Sequence, residues 1–121
     1  MKENKGYHKL LVWQRAREFI KLVYISTENF PRSEEFGLKG QLRRSAVSVV
    51  LNIVEGYRRE TTKDYLHFLN IAHSSLTEVE AALEISQDLN FLSDDLYAEL
   101  EMKRGEVGYL LHKFIIGLKK R

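Results

Sequence analysis

The stretch Thr61 to Ser86, TTKDYLHFLNIAHSSLTEVEAALEIS, decides the fold. Within it Tyr65, Leu69, Ala72, Leu76, Val79, Leu83 and Ser86 recur at alternating steps of four and three, the spacing that lines up side chains on one helix face. Thr61-Thr62-Lys63-Asp64 supplies an N-cap signal ahead of it. A helix is therefore predicted over about residues 63–90, and its single apolar stripe requires partners. Downstream, Ser93-Asp94-Asp95 announces a helix over about 94–119, with core positions Leu96, Leu100, Val107, Leu110, Phe114 and Leu118 and with Lys103 as the misfit. Gly105 and Gly108 inside that helix cost about 1 kcal/mol each against alanine, which predicts a neighbouring backbone that approaches closely. Upstream, Ser33-Glu34-Glu35 marks the start of a helix over about 35–57. Pro31, in Asn29-Phe30-Pro31-Arg32-Ser33, separates it from a helix over about 10–29 that carries Val12, Ala16, Phe19, Ile20 and Val23.

No segment alternates apolar and polar residues as a strand would. Four helices joined by short turns make an all-α, antiparallel up-down-up-down four-helix bundle, and residues 1–121 are enough for a single domain. Pro31 is the only proline among 121 residues, where average usage would give about six. The chain has no cysteine, which removes disulfides, thiolate metal sites and thiol catalysis. No apolar run approaches the ~20 residues of a spanning helix. The segment MKENKGYHK lacks the apolar centre of a signal peptide, so the expected location is cytoplasmic, with no membrane partner.

The second helix has three sectors on a helical wheel. Leu38, Leu42, Ala46, Val49 and Ile53 form the core stripe. Val47, Val50, Leu51 and Val54 lie beside it and widen the apolar arc to roughly 220 degrees, where one buried face needs little more than 100. Either the other helices wrap this one fully or a second subunit covers the extra sector, and self-association is the expectation. The third sector, Gln41, Ser45, Ser48, Asn52, Glu55 and Arg59, reads as a solvated face. Its weak helix formers also suit a hydrogen-bonded seam in an interface or lumen.

The formal net charge of +2 conceals a sorting by position. Residues 1–21 sum to +4, residues 22–36 to −2, residues 78–106 to −7 and residues 113–121 to +4. In an up-down-up-down bundle the chain ends share one pole, so one end is basic and the other acidic. Lys39, Arg43 and Arg44 add positive charge near the acidic end. A phosphate backbone is a natural partner for such basic surface.

The residues offer little for catalysis. His67 and His73 are six apart and so not on one face, His8 and His112 lack ligand partners, and Glu-x-x-His pairs are absent. Glu78, Glu80 and Glu84 are ordinary surface carboxylates. No Walker loop, GxGxxG or nucleophile with a base occurs. Trp13, Phe19, Tyr65, Phe68 and Phe114 fall on core spacings. No catalytic residue, metal or cofactor is expected.

Leu11-Val12-Trp13-Gln14, Phe36-Gly37-Leu38-Lys39-Gly40-Gln41-Leu42-Arg43-Arg44-Ser45-Ala46-Val47-Ser48, Asn52-Ile53-Val54-Glu55-Gly56, His67-Phe68-Leu69-Asn70-Ile71-Ala72 and Ser75-Leu76-Thr77-Glu78-Val79-Glu80 occur in that order. Together they resemble the small bacterial four-helix-bundle proteins encoded by intervening sequences in 23S ribosomal RNA genes. The accessory variability determinant of diversity-generating retroelements is similar. The resemblance implies a ring-shaped homopentamer with a basic surface for nucleic acid, and in the retroelement relatives a reverse transcriptase partner. Where the family often has proline and serine, this chain has Val50 and Leu51, which should straighten the second helix and enlarge its apolar sector.

The expected function is a non-enzymatic, homo-oligomeric protein that binds RNA or DNA through backbone contacts, and the alternative is a protein-interaction scaffold. Arg43 and Arg44 are carried over by motif as nucleic-acid contacts, with Lys39, Arg58 and Arg59 added on charge. Val47, Val50, Leu51 and Val54 are the expected oligomer interface. Gln41, Ser48, Asn52 and Glu55 are the expected structural polar seam.

Overall fold

The computed structural model describes residues 5–121. The reading of the N-terminal segment, and the charges of Lys2 and Glu3, fall partly or wholly outside that range. Four helices follow one another: α1 (Leu11–Thr27), α2 (Leu38–Tyr57), α3 (Thr62–Asp88) and α4 (Asp94–Lys119). Short 3-10 turns at Gly6–Lys9 and Arg32–Glu34 precede α1 and α2.

Local chemistry sets the helix ends. Thr61 Oγ1 accepts from the Asp64 amide at 3.1 Å and Ser93 Oγ from the Leu96 amide at 3.2 Å, so both capping residues satisfy amides that the first turn leaves unpaired. α3 stops where Asn90 takes the left-handed conformation, φ 62°, and the Phe91 amide donates to Ser86 O at 2.9 Å. Asn tolerates that region better than branched residues do. α2 begins at Leu38, because the chain first passes through the 3-10 turn and the non-helical Gly37. Its cap is accordingly the Glu34 carboxylate, which accepts from the Leu38 amide at 3.0 Å.

The pairings give the direction of the helices. Ser45 meets Glu78, Ser48 meets Ser75, and Gly56 lies against Tyr65 and Phe68, so α2 and α3 run antiparallel. Arg104 reaches Glu80 and Gly108 touches Leu76, which makes α3 and α4 antiparallel as well. α1 packs on α2 and α4, α3 packs on the same two, and α2 and α4 stand on a diagonal. Tyr7, Tyr57, Tyr65 and Phe114 form a chain of ring contacts at the pole that holds both chain ends. Phe30 and Phe91 meet at the opposite pole.

All seven stripe residues of α3 are buried. In α1 and α2 so are Val12, Ala16, Phe19, Val23, Leu42, Ala46, Val49 and Ile53. In α4 the buried row is Leu100, Val107, Leu111, Ile115 and Leu118, while Leu110 and Phe114 are half-buried. The predicted row follows a seven-residue repeat, whereas a straight helix drifts about 20 degrees per heptad, and so the core passes to Leu111. Arg104, not Lys103, fills the remaining gap, its guanidinium held by Glu101 and, at 3.0 Å, by Glu80. The glycine expectation is corrected too. A Cβ on Gly105 would meet nothing within 4 Å, and one on Gly108 would meet only the Leu76 and Arg104 side chains. The close backbone approach occurs instead at Gly56, where a Cβ would stand 3.0 Å from Tyr65 Cδ1, 3.1 Å from Phe68 Cβ and 3.2 Å from Tyr65 O.

Candidate functional site

α2 presents two unlike sides. On the side toward α3, Gln41 Nε2 donates to Ser45 Oγ at 3.0 Å and to Glu78 Oε2 at 3.2 Å, and Ser45 Oγ donates to the same carboxylate at 3.1 Å. Ser48 and Ser75 share a hydroxyl hydrogen bond of 2.8 Å, and Asn52 Nδ2 donates to Ser48 O at 2.8 Å. Ser45 is only 4% exposed. From Gln41 to Ser48 the polar sector is thus a seam between two helices of one chain, while Asn52 bonds back to its own helix and Glu55 and Arg59 pair at the exposed end.

The other side carries an open apolar groove of about 450 Å³, lined by Tyr24, Phe36, Val47 and Leu51 and walled by Glu35, Arg43 and Arg44. Leu51 is 61% exposed and Phe36 89%. Gly40 lets two parts of its wall lie close to the helix, since a Cβ there would meet Arg44 Nη1 at 2.9 Å and Glu35 O at 3.0 Å. The extra apolar sector therefore divides. Val50 and Val54 pack against the core, whereas Val47 and Leu51 line the groove.

The five basic candidates do not converge. Arg43 turns inward: Nε donates to Thr27 Oγ1 at 3.0 Å, Nη2 donates to Tyr24 O at 3.0 Å, and the guanidinium lies 4.3 Å over the Tyr24 ring. Such a fork-and-stack arrangement uses most of what an arginine would offer a phosphate. Lys39 pairs with Glu35 at 3.2 Å. Arg44 is exposed, with no ion pair among the described residues. Arg58 and Arg59 follow about 21 Å farther along the helix, at 1.5 Å per residue.

There they join the pole that holds the chain ends. Arg58 lies 5.7 Å over Tyr7 and Arg59 4.6 Å over Phe68. Lys113, Phe114 and Arg121 line a groove at the same pole, and Arg17 covers Trp13 at 5.1 Å, a ring that also meets Tyr7 at 5.5 Å and His8, stacked, at 4.6 Å. Beneath lies Tyr65, whose buried hydroxyl has no hydrogen-bond partner among the described residues. Burial, with a smaller contribution from Tyr57, pushes its pKa up to about 12. Tyr7, Arg17, Lys113 and Arg121 do not stand out in the sequence. The signal for the three cations there is the positive charge of the two terminal segments, and Tyr7 has none. Among the described residues no group of three or more His, Asp or Glu is placed to hold a metal ion, and no helix is long and apolar enough to cross a membrane.

The sequence profile of the 23S rRNA-intervening sequence proteins matches residues 8–113. The chain belongs to that family. A crystal structure of a protein of unknown function from the S23 ribosomal protein family of Bacteroides thetaiotaomicron is similar at a TM-score of 0.79 and 25% identity, over 87% of this chain and 98% of that one. None of the curated proteins matches. The family match includes both the groove and the seam of α2, and it ends at Lys113, short of Arg121.

Proposed function

We propose that this family member is a non-enzymatic, cytoplasmic nucleic-acid-binding protein that works as a homo-oligomer. The observation that carries the binding reading is the pole where Arg58, Arg59, Lys113 and Arg121 gather beside exposed ends of the bundle, with Tyr7 and Phe68 under the two α2 arginines. Aromatic rings beneath guanidinium groups restrict their rotamers, so less freedom is lost when a phosphate is bound. Phosphate contacts carry little base information, and the binding is accordingly sequence-tolerant and salt-dependent. Self-association is supported by Leu51 and Phe36, which no other described residue covers.

Arg58→Glu combined with Lys113→Glu tests the binding reading, since both residues are exposed. Titration of labelled RNA and DNA across a salt series should show affinity falling at least tenfold at low salt, and the salt slope shrinking by about one for each phosphate that the variant no longer neutralises. Unchanged affinity and slope, or wild-type protein that binds neither polymer at low salt, would overturn the reading.

A further inference from the structure

The groove between α1 and α2 has a counterpart across α1, on α4. On α4, Asp95, Glu99, Met102, Glu106 and Tyr109 follow one another at steps of four and three, and all five are exposed. Met102 is 65% exposed and Tyr109 63%, large values for apolar side chains in the middle of a regular helix. Carboxylates flank them. Glu106 is held by Arg15 at 3.2 Å, whereas Asp95 and Glu99 make no ion pair among the described residues. Beside this row a Cβ at Gly105 would meet nothing within 4 Å, so the helix backbone is uncovered there.

The groove is apolar with an unpaired cation at its wall, and the α4 row sets two exposed apolar side chains, Met102 and Tyr109, among carboxylates of which Asp95 and Glu99 have no ion pair among the described residues. Because α2 and α4 stand on a diagonal of the bundle with α1 between them, the two surfaces cannot meet within one chain. Two grooves placed face to face, the two-fold alternative, would bring Arg44 up against its own copy. Glu35, the only carboxylate lining the groove among the described residues, already holds Lys39, and like charges brought together at an interface are costly.

We infer that the α2 groove of one copy receives the α4 row of the next, with Met102 and Tyr109 seated among Phe36, Val47 and Leu51, and with Asp95 and Glu99 facing Arg44. This inference rests on the self-association proposed above and names the surfaces that perform it. The contact is head-to-tail. Every copy offers one groove and one row, so association proceeds to a ring where the rotation closes and to an open chain where it does not. Gly105, costly to the isolated helix by about 1 kcal/mol, then acquires a use as the flat place where the neighbour's α2 side chains come close. The polar ends of the bundle stay uncovered, and their cations are repeated from copy to copy.

Two variants test it, each placing lysine on one of the surfaces: Phe36→Lys with Leu51→Lys in the groove, and Met102→Lys with Tyr109→Lys on α4. All four residues are exposed, and retained helicity by circular dichroism confirms that each variant is folded. In light scattering after size exclusion, wild type should be larger than a dimer and each variant alone should fall to the 14.2 kDa monomer. The two mixed in equal amounts should give a species of twice the chain mass and nothing larger, since one intact groove and one intact row remain. Wild type that is itself a monomer overturns the self-association and this inference with it. An oligomeric wild type whose α4 variant keeps the full size, or whose folded variants stay monomeric when mixed, overturns the head-to-tail pairing alone.

Discussion

The two sides of α2 reverse the usual relation between polarity and burial. Toward α3 the helix turns Gln41, Ser45 and Ser48, and these are hydrogen-bonded to Glu78 and Ser75 in a half-buried seam; away from the core it leaves Leu51 and, just before its first turn, Phe36 in solvent. A buried polar group is tolerated when it is paired, and the seam pairs its groups across a gap that short hydroxyl side chains can span. An exposed apolar row has no such remedy within the chain and is stable only as a small cost in the monomer or as an interface. A seam fixes which two helices meet, and a groove fixes what the folded unit does next. Substitutions on the two sides should differ accordingly, with stability lost on one and association on the other.

The strongest break falls at Gly56, where α2 lies closest to α3. Gly56→Leu must fit four carbon atoms where even the first would lie 3.0 to 3.2 Å from Tyr65 and Phe68, two of those contacts being to Tyr65 O and Phe68 Cβ, atoms that cannot turn away. Overpacking of this kind should cost about 3 kcal/mol or more, read as a fall in the urea midpoint and in Tm.

Next in size is Arg43→Ala, at the wall of the groove. It removes donors from the buried Thr27 hydroxyl and from Tyr24 O and the stack on Tyr24. Hydrogen bonds to a charged group contribute about 1.5 to 3 kcal/mol, so a loss near 2 kcal/mol is expected from denaturation, with nucleic-acid affinity measured on the folded variant changing less than twofold. Affinity falling as far as it does for the Arg58 and Lys113 substitutions would return Arg43 to the binding surface.

Leu51→Ser should reverse that balance. Its side chain is mostly solvated already, and the difference in helix propensity is small, so chemical denaturation of monomeric protein should show a change of about 0.5 kcal/mol or less. Light scattering should nevertheless show a smaller particle. A large loss of monomer stability would mean that Leu51 belongs to the core side of α2.

Much of this was legible from spacing alone, and where it was not the reason is geometric. α3 packs along one continuous stripe, and all seven stripe residues are buried. In α4 the heptad spacing points to Leu110 and Phe114 where Leu111 and Ile115 are buried, because the 3.6-residue period separates from the 3.5-residue one along the helix. The three sectors of α2 are visible on a helical wheel, but polarity does not tell which sector meets α3. Arg43 and Arg44 are neighbours of identical chemistry. A rotation of about 100 degrees puts one against α1 and leaves the other in solvent, and only the position of α1 distinguishes them. Tyr7 beneath Arg58 depends on the 3-10 turn before α1, for which the sequence has no periodic signal.

The smallest expected effect tests the polar group buried beyond the seam, where α2 meets Tyr65. Tyr65 packs against Gly56, yet its hydroxyl has no partner among the described residues. A buried, unpaired hydroxyl carries a desolvation cost without a hydrogen bond to offset it. Tyr65→Phe removes that cost while keeping the ring that contacts Tyr57 and Phe114, so at neutral pH it should leave stability unchanged or raise it by about a few tenths of a kcal/mol. High pH separates the two proteins further. Burial raises the folded-state pKa of Tyr65 from 10.0 to about 12, so the neutral phenol is favoured more in the folded chain than in the unfolded one. Its contribution is full below pH 10 and is lost as pH rises from 10 through about 12, where the unfolded chain releases the proton first. Wild type should therefore lose more stability than Tyr65→Phe over that interval in otherwise identical urea titrations. Equal losses would mean that the Tyr65 hydroxyl reaches water, and that the ring contacts at this pole do not seal it.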